Sequence, residues 1–198
     1  MCLEKTALLM EIARALYNES FDHGLPHVER VLKWARRIVK YENIDLDVDV
    51  LTLTVYLHDV GRFIGNPHAY YSALIAEELL NEIKCPENLK TRILNAINAH
   101  SFSYARISRN GPQSDLEKVL SDADKLDALG IVGFLRVFIY GERERRDIVY
   151  SIRHFHEKIF RLRHLLYYRY SRKVAEKLTA RTAKALNMLV KELGTKHI

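Results

Sequence analysis

Apolar residues recur at intervals of three and four along almost every segment of this 198-residue chain, and only four prolines and eight glycines interrupt them. That spacing puts apolar side chains on one stripe of a helix, whereas a half-buried strand needs alternation. The expected fold is all-α: a single-domain helical bundle over residues 1–198, with a basic helical part from about residue 150. No repeat, low-complexity stretch or linker divides it. The spacing predicts helices over about 3–18, from Pro26 to near Glu42, from behind IDLDVD to a C-cap at Gly61, over about 67–84 and 87–101, and from near Asp115. Two longer helices follow, the last over about 171–193 with Gly194 as its stop. LTLTV, taken alone, also reads as a strand.

Composition excludes several classes. No apolar run approaches the roughly 20 residues of a membrane span, and MCLEKTALLMEIARAL carries acidic residues and no small-residue cleavage site, so it reads as a helix and the expected location is the cytoplasm. Cys2 and Cys85 are too few for a disulfide framework or a cysteine-rich zinc site and are expected as free thiols. Residues 150–198 hold twelve Lys or Arg against three Asp or Glu. That asymmetry suits an anionic ligand such as a nucleotide, a polyanion surface, or simply solvated helix faces.

Chemistry concentrates where polar residues continue apolar stripes. His58 lies three beyond Val55 and seven beyond Leu51, and Asp59 lies four beyond Val55; His100 lies four beyond Ala96; Asp124 lies four beyond Leu120, with Asp127 repeating three later. A lone inward histidine also fits a hydrogen-bonded core residue. An uncompensated buried carboxylate is costlier, and one divalent cation compensates several such groups at once. Imidazoles together with carboxylates suit a mid-series ion such as Mn²⁺, Fe²⁺, Co²⁺, Ni²⁺ or Zn²⁺, with Mg²⁺ also open.

His27, His58-Asp59 and Asp124, in that order on a helical chain, resemble the His…His-Asp…Asp signature of the HD-domain metal-dependent phosphohydrolases. HVERV, LHDVG, SDADKLDALGIVGFLRVFIYG and SIRHFHEKIFRLRHLL extend the resemblance to the bacterial HD-domain nucleoside triphosphate pyrophosphohydrolases, over roughly residues 20 to 190. The resemblance implies an HD-type bundle with the metal site between core helices and His27, His58, Asp59 and Asp124 as ligands of one ion, Asp122 being the competitor for the last place. His68 and His100 are optional ligands of a second ion or contacts to phosphate.

The implied chemistry is hydrolysis at phosphorus, in which a metal lowers the pKa of water and polarises a phosphoryl oxygen. Asp59 would bind metal and orient or deprotonate the water, with His68 or His100 as alternative bases. Arg62, Lys125 and Lys158, with Arg161 and Arg163, are candidates to meet phosphate, and His156 or Tyr167 to meet a base or sugar. Arg30 is a candidate to orient a ligand. There is no GxxxxGK[ST] loop and no nucleophilic Ser or Cys motif.

The leading expectation is release of pyrophosphate from a nucleoside triphosphate. Alternatives are hydrolysis of a nucleoside monophosphate or other phosphoester, and a nucleic-acid-binding or regulatory module using RERR at 143–146, the basic tail and Tyr167, Tyr168 and Tyr170. A small phosphorylated molecule is the expected partner and a membrane is not; a homo-oligomer stays open, because the tyrosine-rich C-terminal helices either complete one core or pack between subunits.

Overall fold

The computed structural model describes residues 5–101 and 111–194; Cys2, the first residues of the N-terminal helix and the start of the SRNGPQSD loop lie outside them. Within these limits the chain forms nine α-helices, two 3₁₀ turns and no strand: α1 (Thr6–Ala15), α2 (Leu25–Glu42), α3 (Val48–Leu57), α4 (His68–Glu82), α5 (Glu87–His100), α6 (Asp115–Asp127), α7 (Gly130–Arg143), α8 (Ile148–Glu157) and α9 (Arg169–Glu192), with 3₁₀ turns at Val60–Phe63 and Ile159–His164. None of these helices is long and apolar enough to cross a membrane.

The strand-like LTLTV is part of the most buried helix. Every residue from Val50 to Leu57 is buried, which an alternating half-exposed strand would not allow. Its two threonines return their hydroxyls to the carbonyls of Val48 and Val50, at 2.7 Å each, so neither reaches the core as an unpaired polar group. Asp47 starts this helix by accepting from the amides of Asp49 and Val50.

Around α3 the core is contiguous. α6 lies between α2 and α5, α4 packs on α5 and on the first 3₁₀ turn, and α9 runs along α7 while touching α2 and α6. Ser114 caps α6, and Glu117 reaches back to the Ser114 hydroxyl and the Gln113 amide, a reciprocal arrangement that fixes where this helix begins.

Two expectations are corrected. The third helix ends at Leu57, and Gly61 is not its C-cap; it lies in the 3₁₀ turn, where a Cβ would sit 2.2 Å from the amide nitrogen of Ser72. Close approach to α4, together with a hydrogen bond from the Gly61 amide to Ser72 Oγ at 3.0 Å, explains the glycine. The region after Asp127 is three helices and a 3₁₀ turn, because Gly141 and the ERERRD stretch break the apolar pattern and Asp147 starts a fresh helix. Gly194 does adopt the left-handed conformation expected of a stop, with φ +65°.

Candidate metal centre

Three histidine rings are turned the same way by the same device. The Nδ1–H of His58 donates to the Val55 carbonyl at 2.6 Å, that of His100 donates to the Ile97 carbonyl, and that of His27 donates to Asp127 Oδ2 at 2.7 Å. A carbonyl or carboxylate can only accept, so each neutral ring carries its hydrogen on Nδ1 and directs an electron pair on Nε2 inward. Asp59, at the junction of α3 and the 3₁₀ turn, is where they point.

Its two oxygens serve different neighbours. Oδ2 lies 3.7 Å from His27 Nε2 and 3.8 Å from His58 Nε2, while Oδ1 lies 3.5 Å from His68 Nε2 and 3.6 Å from His100 Nε2. His27, His58 and Asp59 form one cluster with ligand-atom spacing suited to a metal, and Asp59, His68 and His100 form a second that shares the carboxylate. Asp124 Oδ1 lies 3.5 Å from His27 Nε2, on the open side.

The donor set fits a divalent ion on an independent ground. His27 Nε2, His58 Nε2 and Asp59 Oδ1 are buried with no hydrogen-bond partner, an expensive state for polar atoms that a cation would relieve. Imidazole nitrogen with carboxylate oxygen is the donor chemistry of Zn²⁺ and the mid-series ions.

Protonation favours the same use. Burial lowers the His58 imidazole to about 4 and the His68 imidazole to about 3, so both are neutral, as a ligand must be. Burial, the largest single influence, would raise Asp59, but the Arg62 guanidinium, donating to its Oδ2 at 2.7 Å, together with His58, His68 and His100 outweighs it and holds the carboxyl well below the usual range.

Asp127 orients His27 and is held by two cations: Arg30 reaches both oxygens at 2.7 and 3.1 Å, and Arg136 donates to Oδ2 at 2.9 Å. Arg30 thus touches the ligand-orienting carboxylate, not the cluster. Asp122 is engaged elsewhere. It accepts from the amides of Tyr167 and Tyr168 at 2.9–3.1 Å and so pins the chain entering α9.

His68 and His100 of the second cluster reach one wall of a cavity of about 570 Å³, behind which His27, His58 and Asp59 are buried. Arg62, His68, His100 and Asp124 line that wall; Lys125, Arg136, Arg146 and Lys158 line the others, interleaved with Val137, Ile159 and Leu162. Among the described residues Lys125, which is buried, donates only to Ser121, and Arg146 donates to Ser151 Oγ and the Val137 carbonyl. The Lys158 ammonium makes no hydrogen bond or salt bridge among the described residues, and the side chain is exposed to the cavity. Surrounding protein lowers its pKa first, and Arg62, Arg136 and Arg146 push the same way against Asp124. Arg161 and Arg163 are exposed and, like His156 and Tyr167, are absent from the lining.

Arg136 and His23 line the cavity without having stood out in the sequence, and Arg146 stood out only as part of RERR, the candidate nucleic-acid contact. Arg136 had a visible signal: it is the lone charge in GIVGFLRVFIYG, and a buried guanidinium needs a reason. His23 lies four before His27, one turn away. Arg146 had no signal of its own, since nothing distinguishes it from Arg143 and Arg145.

The HD domain family model matches residues 24–129, more than half of the chain. The YpgQ protein of Bacillus subtilis is 27% identical over 165 residues, covering 81% of this chain and 80% of YpgQ. The crystal structure of YpgQ in complex with ADP superposes with a TM-score of 0.74 at 22% identity, covering 94% of this chain and 97% of that one. A crystal structure from Lactobacillus plantarum gives a TM-score of 0.80 at 25% identity, covering 96% and 97%, and an HD-superfamily hydrolase from Bacillus thuringiensis gives 0.70 at 22%, covering 99% and 100%. With its histidines and aspartates gathered around Asp59, the chain belongs to the HD-domain family of metal-dependent phosphohydrolases.

Proposed function

We propose that this protein is a cytoplasmic, single-domain enzyme that hydrolyses a phosphoanhydride of a small nucleotide, releasing pyrophosphate from a nucleoside triphosphate. One observation carries the reading: the metal-ligand cluster, through His68, His100 and Asp124, and four cations, three of them without a carboxylate partner among the described residues, face each other across a single cavity. A polyphosphate chain is the ligand whose charge matches both walls. The volume is within the roughly 300–1,000 Å³ of small-molecule sites. The ADP complex of YpgQ supports a nucleotide as the ligand class.

His27, His58, Asp59 and Asp124 would hold one divalent ion, and Asp59, His68 and His100 a second. Such an ion supplies a lowered pKa for water and charge stabilisation at a phosphoryl oxygen. Arg62 fixes the Asp59 carboxylate that orients the attacking water. Where His68 is not taken up as a ligand of the second ion, its Nε2, 3.5 Å from Asp59 Oδ1, is the alternative acceptor of the water's proton. Lys125, Arg136, Arg146 and Lys158 neutralise the leaving pyrophosphate, and the water-poor wall of Val137, Ile159 and Leu162 strengthens those contacts.

The test is product analysis. Nucleoside triphosphates incubated with the protein and Mn²⁺, Co²⁺ or Mg²⁺ should yield pyrophosphate and monophosphate; orthophosphate with nucleoside would move the assignment to monophosphate hydrolysis. Retention of nucleotide turnover by His58→Ala would remove the metal cluster from the reaction.

A further inference from the structure

The loop between α1 and α2 holds an imidazole that the hydrolytic reading leaves without a role. Asp22 is fully buried and wholly engaged: it accepts from Ser20 Oγ, from His23 Nδ1 at 2.8 Å, and from two guanidinium nitrogens of Arg143 at 2.6 and 3.2 Å. An ionised carboxylate only accepts, so the hydrogen of this contact is on His23 Nδ1, and Nε2 carries the free electron pair. His23 Nε2 has no hydrogen-bond partner among the described residues, and the ring lines the cavity, edge-on to Tyr140 at 5.1 Å and to His27 at 5.9 Å between ring centres.

Lys125, Arg136, Arg146 and Lys158 offer this cavity only donors. An acceptor beside these cations, as His23 Nε2 is, is the wrong partner for phosphate oxygens and the right one for a hydroxyl. The phosphate chain of a nucleoside triphosphate offers no such donor at neutral pH. The sugar, bonded to the phosphate nearest the cut, does, and His23 packs directly on the ligand histidine His27.

Resting on the nucleotide reading, we propose that His23, held in one tautomer and orientation by Asp22, is the sugar-reading residue: its Nε2 accepts a hydrogen bond from a ribose or deoxyribose hydroxyl. The contact would tell the sugar end of the substrate from its polyphosphate end, and so decide which phosphorus lies over Asp59. Truncating the hydroxyl leaves Nε2 unpaired, which is how a polar site rejects an analogue that lacks one group.

The experiment measures binding by calorimetry, with Ca²⁺ present to suppress turnover, for a ribonucleoside triphosphate, its 2′-deoxy and 2′,3′-dideoxy analogues, and inorganic tripolyphosphate. In the wild-type protein, removal of the hydroxyls should weaken binding about ten-fold. In His23→Phe the three nucleotides should bind within about two-fold of one another, while tripolyphosphate keeps its wild-type affinity, which also reports an intact fold. His23→Gln, which returns an amide oxygen to the region of Nε2, should recover part of the discrimination. The inference is overturned by a wild-type protein that binds the dideoxy analogue as well as the ribonucleotide, by discrimination that survives in His23→Phe, or by equal weakening of tripolyphosphate. Absence of pyrophosphate release from every nucleotide, with the hydroxyl series still discriminated, would overturn the hydrolytic assignment alone.

Discussion

The two ends of the cavity are built by different means. At the metal end, short side chains on α2, α3, α5 and α6 are locked by hydrogen bonds to carbonyls or to Asp127, and His27, His58 and Asp59 are almost wholly buried. At the cationic end, long side chains come from α6, α7 and the segments on either side of α8; Lys125, Arg136 and Arg146 each have a protein partner, and Lys158 Nζ, with none among the described residues, is exposed to the cavity. A preorganised ligand set pays for its order during folding and loses function when any member is displaced. A ring of cations around a polyphosphate shares the charge, so each member should be partly replaceable.

The largest effect should follow from breaking the locked end. His58→Ala removes a ligand and leaves Asp59 facing one imidazole fewer. Turnover should fall by more than about 100-fold, beyond the 10–100-fold typical of losing an outer partner of a ligand, and metal analysis of the purified variant should show the ion depleted. Asp127→Asn tests the layer behind. His27 loses its charged acceptor, and Arg30 and Arg136 lose their common anion, so metal affinity should drop about 10–100-fold while substrate saturation at excess metal changes much less. Loss of substrate affinity without loss of metal would mean that Asp127 serves the cationic end through Arg136 instead.

Acid should also act unevenly. His58 is held at about 4, His68 and His23 at about 3, and His154, at the cationic end, at about 4, burial being the first cause in each. Unfolding returns each to about 6.5. Between those values the unfolded chain binds more protons, so the chelated protein should lose stability as pH falls from about 6.5 towards 4. A melting temperature lower by more than about 10 °C at pH 5 than at pH 7 is the expected size, given roughly 2 kcal/mol for each of four such groups and roughly 2–4 °C per kcal/mol in a chain of this length. His154→Gln should remove no more than about a quarter of that loss; removal of most of it would place the acid sensitivity at the wrong end.

The same contrast explains what the sequence disclosed. His and Asp are uncommon on apolar stripes, so His58, Asp59, His100 and Asp124 stand out by type and spacing, and the helical class follows from the same periodicity. Arg and Lys number 31, and nothing local separates Arg146, which lines the cavity, from Arg161 and Arg163, which do not. The break of the region after Asp127 into three helices, and the role of Gly61 against Ser72, depend on which surfaces meet. So does Asp122, whose neighbours, the amides of Tyr167 and Tyr168, lie some forty-five residues away.

Lys158 and its neighbours measure how far the cationic end is shared. Lys158→Met keeps much of the aliphatic stem and removes one charge that has no partner among the described residues, so the KM for a nucleoside triphosphate should rise about ten-fold, as for loss of one charge-assisted contact of roughly 1.4 kcal/mol, with kcat nearly unchanged. Arg161 and Arg163 stand only three and five residues further on and carry the same charge, yet their side chains are exposed and outside the cavity. At 0.15 M salt, charges more than about 8 Å from the phosphates are largely screened. The double variant Arg161→Ser, Arg163→Ser should therefore shift KM by less than about two-fold, and by somewhat more only as salt is lowered. A ten-fold loss in that variant at physiological salt would mean that substrate is gathered by the basic face of the C-terminal segment as a whole, and that the cavity cations are one part of a wider surface instead of a defined phosphate site.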